Sequence, residues 1–155
     1  MKWISIIGIV VVGILGTLFH FAYEFIPLFI FPMNESIFEH TKLIIVPMVI
    51  YLGIIMCLRI KEKKLIFSSF VIAILFGIML VVSGYYTYSG ILGYSVDWLN
   101  IVLFFLSVIS SFWIIYKKKT LFGFTNSVAI LLIILILMSV FSFYPLSIDF
   151  FKDLS

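Results

Sequence analysis

His20, with Glu24 four residues after it, and the stretch Pro32-Met-Asn-Glu-Ser-Ile-Phe-Glu-His-Thr-Lys42 together hold both histidines of the chain and three of its seven acidic residues. Only 11% of the residues are charged, so this is the part of the sequence whose types and spacing can do chemistry. Imidazole nitrogens combined with carboxylate oxygens suit zinc, manganese or iron(II), whereas carboxylates alone would suit calcium or magnesium. The candidate metal ligands are His20, Glu24, Glu39 and His40, with zinc as the representative ion. Asn34 and Glu35 complete a wider binding set.

Spacing limits what one helix can present. Glu35 and Glu39 share a face at spacing four, but His40 is turned about 100° from Glu39, so a second element must help to close any site. The same groups also suit proton relay or capture of an organic cation. A glutamate beside a metal-bound water would make a hydrolase. No serine-elbow, phosphate-loop or dinucleotide motif points to another enzyme class, and whether the chain is an enzyme is left open. Structural roles compete with all of these. Glu35 near a helix start is favoured by the macrodipole, and Glu39 can complete a capping box with Ser36 or pair with Lys42 at spacing three.

The elements that must position these groups are membrane spans. The 155 residues are 65% hydrophobic with a mean hydropathy of +1.33, against roughly 45–50% apolar in soluble domains. This composition predicts a single integral membrane domain over 1–155, an all-α polytopic bundle of about five spans. The basic residues fall in small clusters at the ends of apolar runs, which reads as topology and excludes nucleic acid as a partner. Cys57 is alone, so no intrachain disulfide can form.

The spans are expected near 3–25, 34–58, 65–84, 99–116 and 127–143. The first is too long for a cleaved leader and is expected to stay as an anchor. Its Gly8, Gly13 and Gly16 offer close approach to a neighbouring helix. Residues 27–33, bracketed by Pro27 and Pro32, are too apolar for a solvated loop and too short to span, and are expected to lie in or re-enter the interface. Asn34 or Ser36 caps the second span, and Pro47 frees the carbonyl of Leu43 within it. Tyr85, Tyr86, Tyr88, Tyr94, Asp97 and Trp98 read as an aromatic connection at the membrane interface, with pocket lining as the lesser reading for Tyr85, Tyr86 and Tyr88. Asn100 and Asn126 are expected to cap the last two spans.

Five spans place Lys2, the Arg59–Lys64 loop and the Lys117–Lys119 loop on one side, which the positive-inside rule makes cytoplasmic. The N-terminus is then inside, the C-terminus outside, and the His/Glu cluster faces outward.

The Asn34–His40 stretch, preceded by His20-Phe-Ala-Tyr-Glu24, resembles a family of small, functionally uncharacterised multi-pass membrane proteins of Gram-positive bacteria. Its signature is proline, Asn-Glu-Ser, an aromatic, then Glu-His and a basic residue. Met33 and Phe38 stand where that pattern favours a smaller apolar residue and a tryptophan. The resemblance covers about the first third of the chain; it implies a multi-pass fold and marks the polar stretch, but brings no known activity.

The expected protein therefore lies in the bacterial cytoplasmic membrane, with the lipid bilayer as its surroundings and a homo-oligomer or membrane partner compatible with its size. Its outward His/Glu pocket binds or transports a metal ion or other cation. The alternatives are a metal-dependent hydrolase acting at the outer leaflet and a non-catalytic accessory subunit.

Overall fold

Apolar runs with no solvated partners for their backbone groups must satisfy them internally, and in this chain they do so as helices. The computed structural model describes residues 2–22 and 30–153. It contains α1 (Lys2–Ala22), α2 (Ile37–Cys57), α3 (Lys63–Leu92), α4 (Asp97–Tyr116), α5 (Phe124–Phe143) and a 3₁₀ turn at Asp149–Phe151, with no strand among the described residues. All five helices are long and apolar enough to cross a membrane, which fits a small multi-pass membrane protein.

Helices α1 to α4 close a ring: α1 packs on α2 and α4, and α3 packs on α2 and α4, while α5 lies against α3. Ile44, Met48, Phe70, Ile74, Val108 and Phe112, all essentially inaccessible, fill the axis. Most polar side chains that enter this core are satisfied, with Ser5 Oγ of α1 a buried exception among the described residues. The Tyr51 hydroxyl donates to the Ile4 carbonyl at 2.7 Å, and Ser111 Oγ donates across to the Ala73 carbonyl at 2.8 Å.

Pro47 lies inside α2 and has no N–H to offer the carbonyl of Leu43. That carbonyl lies against α1 at Gly16, where a Cβ would come within 2.8 Å of it and 2.4 Å of the Phe104 ring. Gly16 is thus the point at which α1 can approach both α2 and α4.

Most of the basic residues gather at one end. There Lys118 of the α4–α5 connection pairs with Glu62 of the α2–α3 connection. This hydrogen bond and the charge of Lys118 hold the Glu62 carboxyl below its usual range. At the opposite end the segment 149–153 folds back on α2. Phe38 stacks against Phe150 and Phe151 at 5.8 and 4.7 Å between ring centres, and the Glu35 N–H donates to Asp153 Oδ1 at 3.3 Å.

One expected element changes length. Helix α3 does not stop near Gly84 but continues to Leu92, so Tyr85, Tyr86 and Tyr88 sit on helix rather than in a connection. No proline interrupts this stretch, and the helix ends only at Gly93, which takes the left-handed conformation (φ 80°) that suits a C-terminal cap. At 1.5 Å per residue α3 measures about 45 Å, some 15 Å more than a hydrocarbon core. Asn100 and Asn126 are not caps either: Val96 and Gly123 hold the N-cap positions.

Candidate functional site

The first turns of α2 are shaped by local hydrogen bonds. Asn34 Oδ1 accepts from the Ser36 N–H at 2.9 Å, and Ser36 Oγ caps the helix by accepting from the Glu39 N–H at 3.3 Å. This answers which of the two residues caps: Ser36 does, and Asn34 shapes the turn before it.

Glu39 does not return to complete the capping box. Its Oε2 accepts from Lys42 Nζ at 2.5 Å and from the Met33 N–H at 2.7 Å, and both side chains are essentially sealed from solvent. Lys42 Nζ also reaches the Phe31 carbonyl at 3.4 Å. The pair therefore stitches residues 31–33 onto α2. Phe31 and Pro32 are buried, and in the described part of the 27–33 segment the Phe31 carbonyl and the Met33 N–H are satisfied by side chains of α2; residues 27–29 lie outside the described residues.

The other face of the same turns is open. His40 Nδ1 lies 3.0 Å from the Ser36 carbonyl, and its Nε2 lies 3.3 Å from Glu35 Oε2. The His20 ring, from the last turn of α1, stands 5.5 Å from the His40 ring, centre to centre. Among the described residues, His20, Glu35 and His40 each offer a ligand atom, and these atoms lie within 4.8 Å of one another.

Structure and spacing thus distribute the expected ligands differently. His20 and His40 come together as expected, joined by Glu35. Glu39, expected as a ligand, is turned away and held by Lys42. Glu24 lies outside the described residues.

The three groups open into a cavity of about 580 Å³ between α1, α2, α3 and α4. Its polar wall also includes Tyr85, Ser95, Asp97 and Asn100, and its apolar wall is formed by Leu43, Phe104 and other side chains. Among the described residues, two carboxylates, two imidazoles and no lysine or arginine line it. Asn100 is held by a hydrogen bond from the Tyr88 hydroxyl. Those four wall residues come from a region some fifty residues further along the chain. Beyond the lesser pocket-lining reading of Tyr85, their signal was the alternation of ends, which brings the end of α3 and the start of α4 beside His20.

The whole chain, residues 1–155, matches the model of a family described as a family of unknown function (DUF6512), and the protein belongs to that family. No curated protein and no solved structure matches it.

Proposed function

We propose that this protein binds a divalent transition-metal ion of the zinc class, or a cation of similar demand, between His20, Glu35 and His40, in the cytoplasmic membrane of a bacterium. One observation carries the reading. A carbonyl can only accept, so a hydrogen bond from His40 to Ser36 requires the proton on Nδ1 and leaves Nε2 directed at Glu35. An imidazole lone pair and a carboxylate oxygen 3.3 Å apart repel unless a cation lies between them. A tetrahedral zinc with bonds of about 2.0–2.1 Å separates its ligand atoms by about 3.3 Å. The backbone bond to Nδ1 is the kind of outer contact that orients a metal-binding histidine. A proton on Nε2 would satisfy the pair equally, and His20 is what favours the metal, since a simple ion pair has no need of a second imidazole.

Beneath the cavity the axis is closed by Ile44, Phe70 and Phe112, which supports capture at one face of the membrane. The positive-inside rule assigns that face to the outside. Glu24, four residues after His20, keeps its place in the proposed ligand set.

The size of the cavity favours a second reading. About 580 Å³ is the range of small-molecule sites, far beyond one ion. Three protein ligands and an open fourth position are the arrangement of catalytic zinc, which would make the protein a membrane hydrolase.

Elemental analysis of detergent-purified protein beside a His20→Ala, His40→Ala double variant tests the metal reading. Near-stoichiometric metal that disappears in the double variant supports it. No metal in the wild type after supplementation with zinc, manganese and iron(II) overturns it.

A further inference from the structure

A second hollow continues the first. Between α1 and α4 runs an apolar groove of about 440 Å³, walled by Ile9, Val10, Gly13, Ile14 and Leu18, with Thr17 and Phe105 shared between groove and cavity. Val10, Ile14 and Leu18 are more than half exposed, so the groove opens on the lipid-facing surface of the bundle. Its far wall at Gly13 has no side chain, and a Cβ there would meet the Phe105 ring at 3.3 Å.

Three features together identify an occupant. The cavity has a polar end, where a three-ligand metal would leave one position for an anionic oxygen. Tyr85, Ser95 and Asn100 stand there as further hydrogen-bonding groups, with the Asp97 carboxylate on the same wall. The groove leaves from that polar end along α1, and from His20 to Ile9 it covers about 16 Å, half of a hydrocarbon core of about 30 Å. That is the depth of one leaflet.

We propose, resting on the metal reading above, that the ligand is a membrane lipid with an anionic headgroup, its phosphate oxygen at the His20–Glu35–His40 metal and one acyl chain in the α1–α4 groove. The lipid enters sideways from the leaflet that borders the cavity. A soluble phosphate shares the headgroup chemistry but gains nothing from the groove.

The test uses the full chain in phosphatidylcholine nanodiscs loaded with zinc, with a trace of chain-spin-labelled phosphatidic acid, read by electron paramagnetic resonance. A motionally restricted component is expected, with an apparent affinity at least about tenfold above that of equally labelled phosphatidylcholine. Removing the zinc with a chelator abolishes the difference. Ile14→Trp fills the groove two turns away from the ligands and reduces the restricted component while the bound zinc stays unchanged. Val10→Trp, at a more than half-exposed groove position about three turns from the ligands, does the same should Ile14→Trp fail to fold.

Equal restriction of both lipids means annular contact only and overturns the proposal. So does a restricted component that survives both tryptophan variants, or one displaced by inorganic phosphate as readily as by unlabelled phosphatidic acid. Zinc bound without restricted lipid removes the lipid proposal alone. Zinc absent from the wild type removes the metal reading, and the lipid proposal falls with it.

Discussion

Two acid–base pairs sit on opposite sides of the same two helical turns. Glu39 and Lys42 meet at 2.5 Å with side-chain exposures of 4% and 0%, whereas Glu35 and His40 meet at 3.3 Å with exposures of 50% and 24%. The first pair touches only protein and holds backbone groups of the preceding turn. The second faces a cavity and shares it with an imidazole from another helix. The residue types differ little, so exposure and the presence of a third donor separate a structural pair from a site.

The largest effect should come from breaking the closed pair. Lys42→Ala leaves the Glu39 carboxylate buried and uncompensated, a change that typically costs about 3–5 kcal/mol. Unfolding in a graded denaturing detergent measures it. A Glu39→Leu, Lys42→Leu double variant should recover most of that loss, because neither charge is then left alone. If Lys42→Ala is neutral, the two pairs are not different in kind.

Breaking the open pair should do the reverse. His40→Ala is expected to leave the unfolding midpoint within about 1 kcal/mol, as for a half-exposed pair. Zinc affinity should fall beyond the 10–100-fold typical of outer contacts. Isothermal titration with zinc reads this directly.

Gly16→Leu sharpens the comparison by disturbing the wall both regions share. Its side chain meets the Leu43 carbonyl and the Phe104 ring, so a loss of about 1–3 kcal/mol is expected, with weakened zinc binding because α1 carries His20.

The smallest effect belongs to the far end of the bundle. Lys118 holds the Glu62 carboxyl low, so the pair adds stability above the carboxylate's unfolded range near 4.3, and this is lost as pH falls through the lower folded value. Comparing wild type with Glu62→Gln across pH 2–7 should show a small stability difference at neutral pH that closes on acidification, while the zinc site is untouched.

Much of the fold was legible because apolar runs separated by basic clusters leave few other solutions. The end of α3 was not, since tyrosines at an interface read alike whether they sit on a helix or in a connection, and the terminating signal was Gly93 rather than Gly84. In the site, His20 and His40 stood out as the only histidines. Glu35 and Glu39 could not be ranked by spacing, because each lies where a cap, a dipole contact or a ligand is reasonable. Lys42 decided between them, and its reach back to the 31–33 turn is a tertiary fact. Tyr85, Asp97 and Asn100 read locally as interface or cap and Ser95 carried no mark; only packing joins the four to the histidines.

The spacing of the closed pair also bears on how the chain enters the bilayer. A lone lysine near the middle of a span is penalised by about 2.5–3.5 kcal/mol on insertion scales. Lys42 lies in the second turn of α2 with its counter-ion three residues away on the same helix. The segment therefore brings its own neutralising charge as it leaves the translocon, and α2 can partition into lipid as a net-neutral unit before α3 or α4 has arrived to meet it.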